Sequence, residues 1–95
     1  MPQDEASAVA LRVRKLLAAA TNYEPDEIHG SYNLSDPPPL GISTALLKGM
    51  IPALNDIVHD FKPGTDIDFD KDIAKLNKVS ELIGLIWKKC GISTD

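Results

Sequence analysis

Residues 43–60 read Ser43-Thr44-Ala45-Leu46-Leu47-Lys48-Gly49-Met50-Ile51-Pro52-Ala53-Leu54-Asn55-Asp56-Ile57-Val58-His59-Asp60. Leu46, Leu47, Met50, Ile51, Leu54, Ile57 and Val58 return at three- and four-residue steps, the period of an α-helix. The apolar stripe is wide, which predicts a central, well-buried helix starting near Ser43. Gly49 and Pro52 stand inside it. An interior proline removes one backbone hydrogen bond and crowds the preceding turn, at a cost of about 3 kcal/mol. Either this helix is kinked, or its regular part begins near Lys48 with Pro52 in the first turn.

Upstream, Val9, Val13, Leu16, Leu17 and Ala20 make one apolar stripe and predict a first helix over about residues 5–20. Thr21-Asn22 ends it and Pro25 confirms the break. A long loop follows, to about Ile42. It contains Pro37-Pro38-Pro39, which fits neither a helix interior nor a central strand. Ile28, Tyr32, Leu34 and Leu40 are expected to pin this loop to the core.

Downstream, Pro63-Gly64 marks a turn. A short third helix is expected from about Asp68 or Asp70 to Leu76, capped by an aspartate. The last helix should run from Asn77 to Cys90, with Asn77 or Ser80 as cap. Val79, Leu82, Ile83, Ile86 and Cys90 form its apolar face, and Trp87 beside them should be half buried. Lys88 and Lys89 suit the negative end of that helix, and Gly91 is a natural stop. The expected fold is therefore all-α, a bundle of four helices, three longer and one short, with a long first loop.

The 95 residues suffice for a single domain, here 1–95, with one modest core. Apolar residues make up 43% and aromatics only 5%, so that core must be aliphatic. The formal net charge of −4 is the wrong sign for neutralising phosphates, so no nucleic-acid partner is expected. No apolar run is long enough to span a bilayer, and the acidic start lacks the pattern of a secretory signal. A lone cysteine, Cys90, cannot form an internal disulfide. A cytoplasmic monomer without membrane contact is expected.

Few residues signal chemistry. Asp66, Asp68, Asp70 and Asp72 alternate as in a calcium loop, but Lys71 and Asn77 stand where that loop needs glycine and glutamate. A solvated acidic turn, or a docking surface for a basic partner, suits them better. His29 and His59 lie thirty residues apart and give no metal spacing. Cys90 falls on an apolar face and reads as packing. Ser43 and Thr44 stand at the start of a helix, where hydroxyls cap routinely and where an exposed hydroxyl could also anchor a phosphate-linked group. Leu46, Leu47, Met50, Leu54 and Ile57 read first as core, a reading compatible with their also lining an apolar channel between helices for an acyl chain.

The layout of long helix, long loop, helix, short helix and helix resembles the acyl carrier protein family. Val13-Arg14-Lys15-Leu16-Leu17 looks like that family's first helix, and Tyr23-Glu24-Pro25-Asp26-Glu27-Ile28 like the turn after it. Ser31-Tyr32 resembles a polar–aromatic pair early in the family's loop. Leu40-Gly41 resembles the pair before the family's modified serine, and Leu76–Ile86 follows the spacing of its last helix. The likeness spans roughly residues 9–90. It implies a non-enzymatic carrier whose 4'-phosphopantetheine arm presents a thioester-bound acyl group to enzymes of fatty-acid, polyketide or similar biosynthesis. The family attaches that arm to the serine of Asp-Ser-Leu, which is absent here; the chain reads Leu40-Gly41-Ile42-Ser43-Thr44-Ala45-Leu46. Allowing one missing residue, the resemblance places the arm on Ser43; counting without a gap, on Thr44. A phosphopantetheinyl transferase would then be a partner as well. The other reading is a carrier fold without an arm, acting as a protein-binding or regulatory module.

Overall fold

The computed structural model describes residues 2–34 and 40–92, with side chains from Glu5 onward. Three longer helices are present: α1 (Pro2–Thr21), α2 (Thr44–His59) and α3 (Val79–Cys90). A short helix, Phe69–Ile73, lies in the chain between α2 and α3. No strand occurs among the described residues, so the architecture is the all-α bundle that periodicity predicts. Asp36 and Pro37-Pro38-Pro39 lie outside the described residues.

α1 buries Val9, Val13 and Leu17 completely, at the predicted spacing. It stops at Asn22, whose φ of 66° is left-handed, a conformation asparagine tolerates better than most residues. Pro25–Glu27 then forms one tight turn, held by the Glu27 carboxylate accepting from the Glu24 amide at 2.8 Å. Pro25 marks the break in the sequence, and the resemblance places a turn over residues 23–28, where this one lies.

α2 packs against both α1 and α3. Leu47, Met50, Leu54, Ile57 and Val58 face the core. The helix begins at Thr44, so Pro52 lies in its interior and not in its first turn. Pro52 is exposed, which leaves the carbonyl it fails to pair, that of Lys48, on the watery side of the helix.

The short helix is capped by Asp68, whose carboxylate accepts from the Lys71 amide at 3.1 Å, as the sequence suggests. Its turn is wide: the Ala74 amide reaches back five residues to the Phe69 carbonyl at 2.8 Å. It ends at Ile73, three residues before the expected Leu76. Lys48 of α2 stands 5.1 Å from the centre of the Phe69 ring, and Lys89 of α3 pairs with Asp72 at 3.1 Å. The helix is thereby fastened to both neighbours.

The start of α3 corrects one expectation. Neither Asn77 nor Ser80 caps it by its side chain. Instead Glu81 reaches back and accepts from the amides of Asn77 and Lys78, both at 2.8 Å. The next two amides donate into the long loop, Val79 to the Tyr32 carbonyl at 2.9 Å and Ser80 to that of Gly30 at 3.0 Å. The Leu34 amide in turn donates to Asn77 at 2.7 Å. The otherwise orphaned donors of the first turn are therefore satisfied by the loop and one glutamate, leaving no role for a hydroxyl cap. Ile28, Leu34 and Leu40 are buried and Tyr32 packs against the core, so the loop is anchored as predicted.

Candidate functional site

The candidate site lies where the loop enters α2. Leu40 is buried, Gly41 turns the chain with a φ of 57°, and Ile42 is buried again. The Ile42 amide donates to the Leu34 carbonyl at 2.8 Å, tying both ends of the intervening segment together. Ser43 then leaves the core and is exposed. Its backbone is extended, with φ −72° and ψ 159°, and its Oγ accepts from the Leu46 amide at 3.2 Å. Ser43 is thus the N-cap of α2 and Thr44 its first helical residue, also exposed.

Two features bear on an esterified phosphate at this point. The amides of Thr44 and Ala45 point out of the first turn with no partner inside the helix, as in every helix start. The first turn contains no acidic side chain. A phosphate on Ser43 would therefore meet the positive end of the helix dipole without carboxylate repulsion. The residues present fit a phosphopantetheine ester on Ser43, whose oxygen can reach solvent. Leu46, one turn on, is an exposed large apolar residue at 39% exposure.

Of the residues proposed to line an apolar channel, Leu47, Met50, Leu54 and Ile57 are buried in the core. An open groove of about 360 Å³ runs instead between α1 and α2, lined by Arg12, Lys15, Leu16, Ala53, Asp56 and Ile57. Only Ile57 belongs to both sets. The groove was not legible from the apolar pattern, because half of its lining is charged. Ala53 lies ten residues along α2 from Ser43, about 15 Å at the helical rise.

The acidic run is largely occupied with local structure. Asp72 accepts from the Asp68 amide at 2.9 Å and pairs with Lys89. That amide, and then Lys89, hold its carboxyl below the usual carboxylate range. Asp66 meets His59 at 3.1 Å. Among the described residues no group of three potential ligands could hold a metal ion. His29 packs edge-on against Tyr32 at 4.9 Å, on a different part of the surface-facing loop. Cys90 is buried, and burial pushes its thiol pKa up, away from the nucleophilic thiolate. No described helix is long and apolar enough to cross a membrane.

No protein-family model, no curated protein and no solved structure matches the chain.

Proposed function

We propose that this chain is an acyl-carrier-like protein with Ser43 as the attachment point of a phosphopantetheine arm. The observation that carries the reading is the position of Ser43: an exposed hydroxyl directly after Leu40-Gly41-Ile42, at the amino end of an α2 free of first-turn acids. The short helix between α2 and α3, expected from the resemblance, supports it further. Thr44, also exposed, is the second choice, as the position that falls on the family's serine when counting without a gap.

In this reading the Ser43 oxygen forms a new bond to the phosphate of the phosphopantetheinyl unit of coenzyme A. The diphosphate linkage breaks, adenosine 3',5'-bisphosphate leaves, and the hydroxyl proton passes to a base on the transferase. The arm supplies a terminal thiol that holds an acyl group as a thioester. The chain contributes a firm attachment point and a docking surface for biosynthetic enzymes, and no catalytic group of its own.

A second reading is favoured by one observation. The Ser43 oxygen is already used as the cap of α2, the ordinary role of serine at this position, and Asp-Ser-Leu is missing. The chain would then be an armless binding module.

Intact-protein mass spectrometry separates the two. The chain is incubated with coenzyme A and a broad-specificity phosphopantetheinyl transferase, beside Ser43→Ala and Thr44→Val variants. Addition of one phosphopantetheine, lost in Ser43→Ala and kept in Thr44→Val, is the expected result. No added mass, together with an unmodified mass for protein purified from its own host, selects the armless module.

A further inference from the structure

The groove between α1 and α2 is open, and the two walls carry opposite charge. Arg12 and Lys15 belong to the α1 wall and Asp56 to the α2 wall, over a floor of Leu16, Ala53 and Ile57. Arg12 is paired with Asp60 across the end of the groove. Lys15 and Asp56 are exposed and make no ion pair among the described residues.

Their relative height follows from helix geometry. The Arg12–Asp60 pair fixes one level, and α1 and α2 run antiparallel along the groove, since the later α1 residues Lys15 and Leu16 share it with the earlier α2 residues Ala53, Asp56 and Ile57. From that pair, Lys15 is three residues on along α1, about 4.5 Å. Asp56 is four residues back along α2, about 6 Å in the same direction. The two free charges therefore stand at nearly one level on opposite walls.

We propose that two copies of this chain associate through this face, about a two-fold axis running along the groove. Such an axis lays α1 of one copy over α2 of the other. Lys15 of each copy then meets Asp56 of its mate, so the pair is made twice, and the Leu16, Ala53 and Ile57 floors close on each other. A self-complementary face of this kind suits a second copy better than a singly charged amphiphile. An anionic head placed at Lys15 would sit against Asp56, and a cationic one at Asp56 against Lys15. The proposal departs from the monomer expected from the sequence. It does not rest on the carrier reading, because Ser43 lies outside the groove.

The test is sedimentation equilibrium on the full chain, up to about 1 mM protein, where a Kd of 1 mM corresponds to about 4.1 kcal/mol. A reversible dimer is expected. Lys15→Glu and Asp56→Lys should each weaken it at least about tenfold, by placing like charges together at two symmetric contacts. The double variant Lys15→Glu/Asp56→Lys exchanges the charges and should return to within about threefold of the parent. Ala53→Arg, which fills the floor, should abolish association. Both charged residues are exposed, and circular dichroism melts identify any variant that has lost its fold. A parent monomeric at about 1 mM, a dimer indifferent to Ala53→Arg, or a double variant no better than either single one overturns the proposal.

Discussion

α3 and α2 solve the same packing problem in different ways. α3 follows almost every local rule. Glu81 holds the two amides that lead into it, Lys88 and Lys89 stand at its negative end, and Gly91 closes it with a φ of 76°. α2 buries an equally apolar face but departs from the rules on its outer side. Gly49 and Pro52 stand in its interior, its first turn has no acid, and Leu46 is exposed. A Cβ added at Gly49 would meet nothing within 4 Å, and the backbone there is not left-handed, so neither space nor conformation demands glycine. The contrast directs the search for function to the outer side of α2. The sequence of α3 is accounted for by folding except at Gly84, where an added Cβ would likewise meet nothing within 4 Å, whereas the outer side of α2 gathers several residues that folding does not require. The Ser43 site and the groove both adjoin that side.

The inner faces should behave alike, and this gives the largest effect. Leu54 in α2 and Leu82 in α3 are both essentially fully buried. Leu54→Ala and Leu82→Ala should each destabilise by about 2–5 kcal/mol, through lost transfer energy and an unfilled cavity. Urea denaturation measures both. If Leu54→Ala costs under about 1 kcal/mol while Leu82→Ala costs the expected amount, the two helices differ on the inside too, and their outer sides are not what sets them apart.

The outer face should respond with the opposite sign. Pro52→Ala restores a helical donor to the Lys48 carbonyl and removes a ring from the preceding turn, so it should stabilise by about 1–3 kcal/mol. Gly49→Ala should add about 0.5–1 kcal/mol by reducing the freedom of the unfolded chain. The same measurement checks them. A loss of stability in either variant would mean that folding does need these residues, and α2 would cease to stand apart from α3.

How much of this was legible beforehand follows from what each feature depends on. The apolar stripes of all three longer helices are periodic in the sequence, so helix number, order and core residues could be read directly. Asp68 was legible as a cap because it stands immediately before the short helix it serves. The cap of α3 was not, because it depends on the loop carbonyls of Gly30 and Tyr32, some fifty residues away in the chain, being brought alongside Val79 and Ser80. The groove was hidden for a similar reason: Arg12 and Asp60 must first meet before Lys15 and Asp56 can face one another. Ser43 was singled out correctly as a helix start, but its local sequence serves a cap and an attachment point equally well.

The smallest effect sharpens the account of α3. The Asn77 amide, and then that of Lys78, lower the pKa of the Glu81 carboxyl. A carboxyl depressed in the folded state contributes stability that is fully present above its unfolded pKa, about 4.3, and is lost as pH falls through the lower folded value. Glu81→Gln keeps an acceptor oxygen but not the charge, so it should be less stable than the parent at neutral pH. As acid carries the pH down through that lowered value Glu81 takes up its proton, and the gap between the two proteins should shrink. Asp72, held low by the Asp68 amide and Lys89, gives the same sign, so Asp72→Asn should repeat the pattern. Urea midpoints in acid and at neutrality decide the matter. A gap as wide in acid as at neutrality would show that Glu81 supports α3 by shape and hydrogen bonding alone, not through its charge at the helix start.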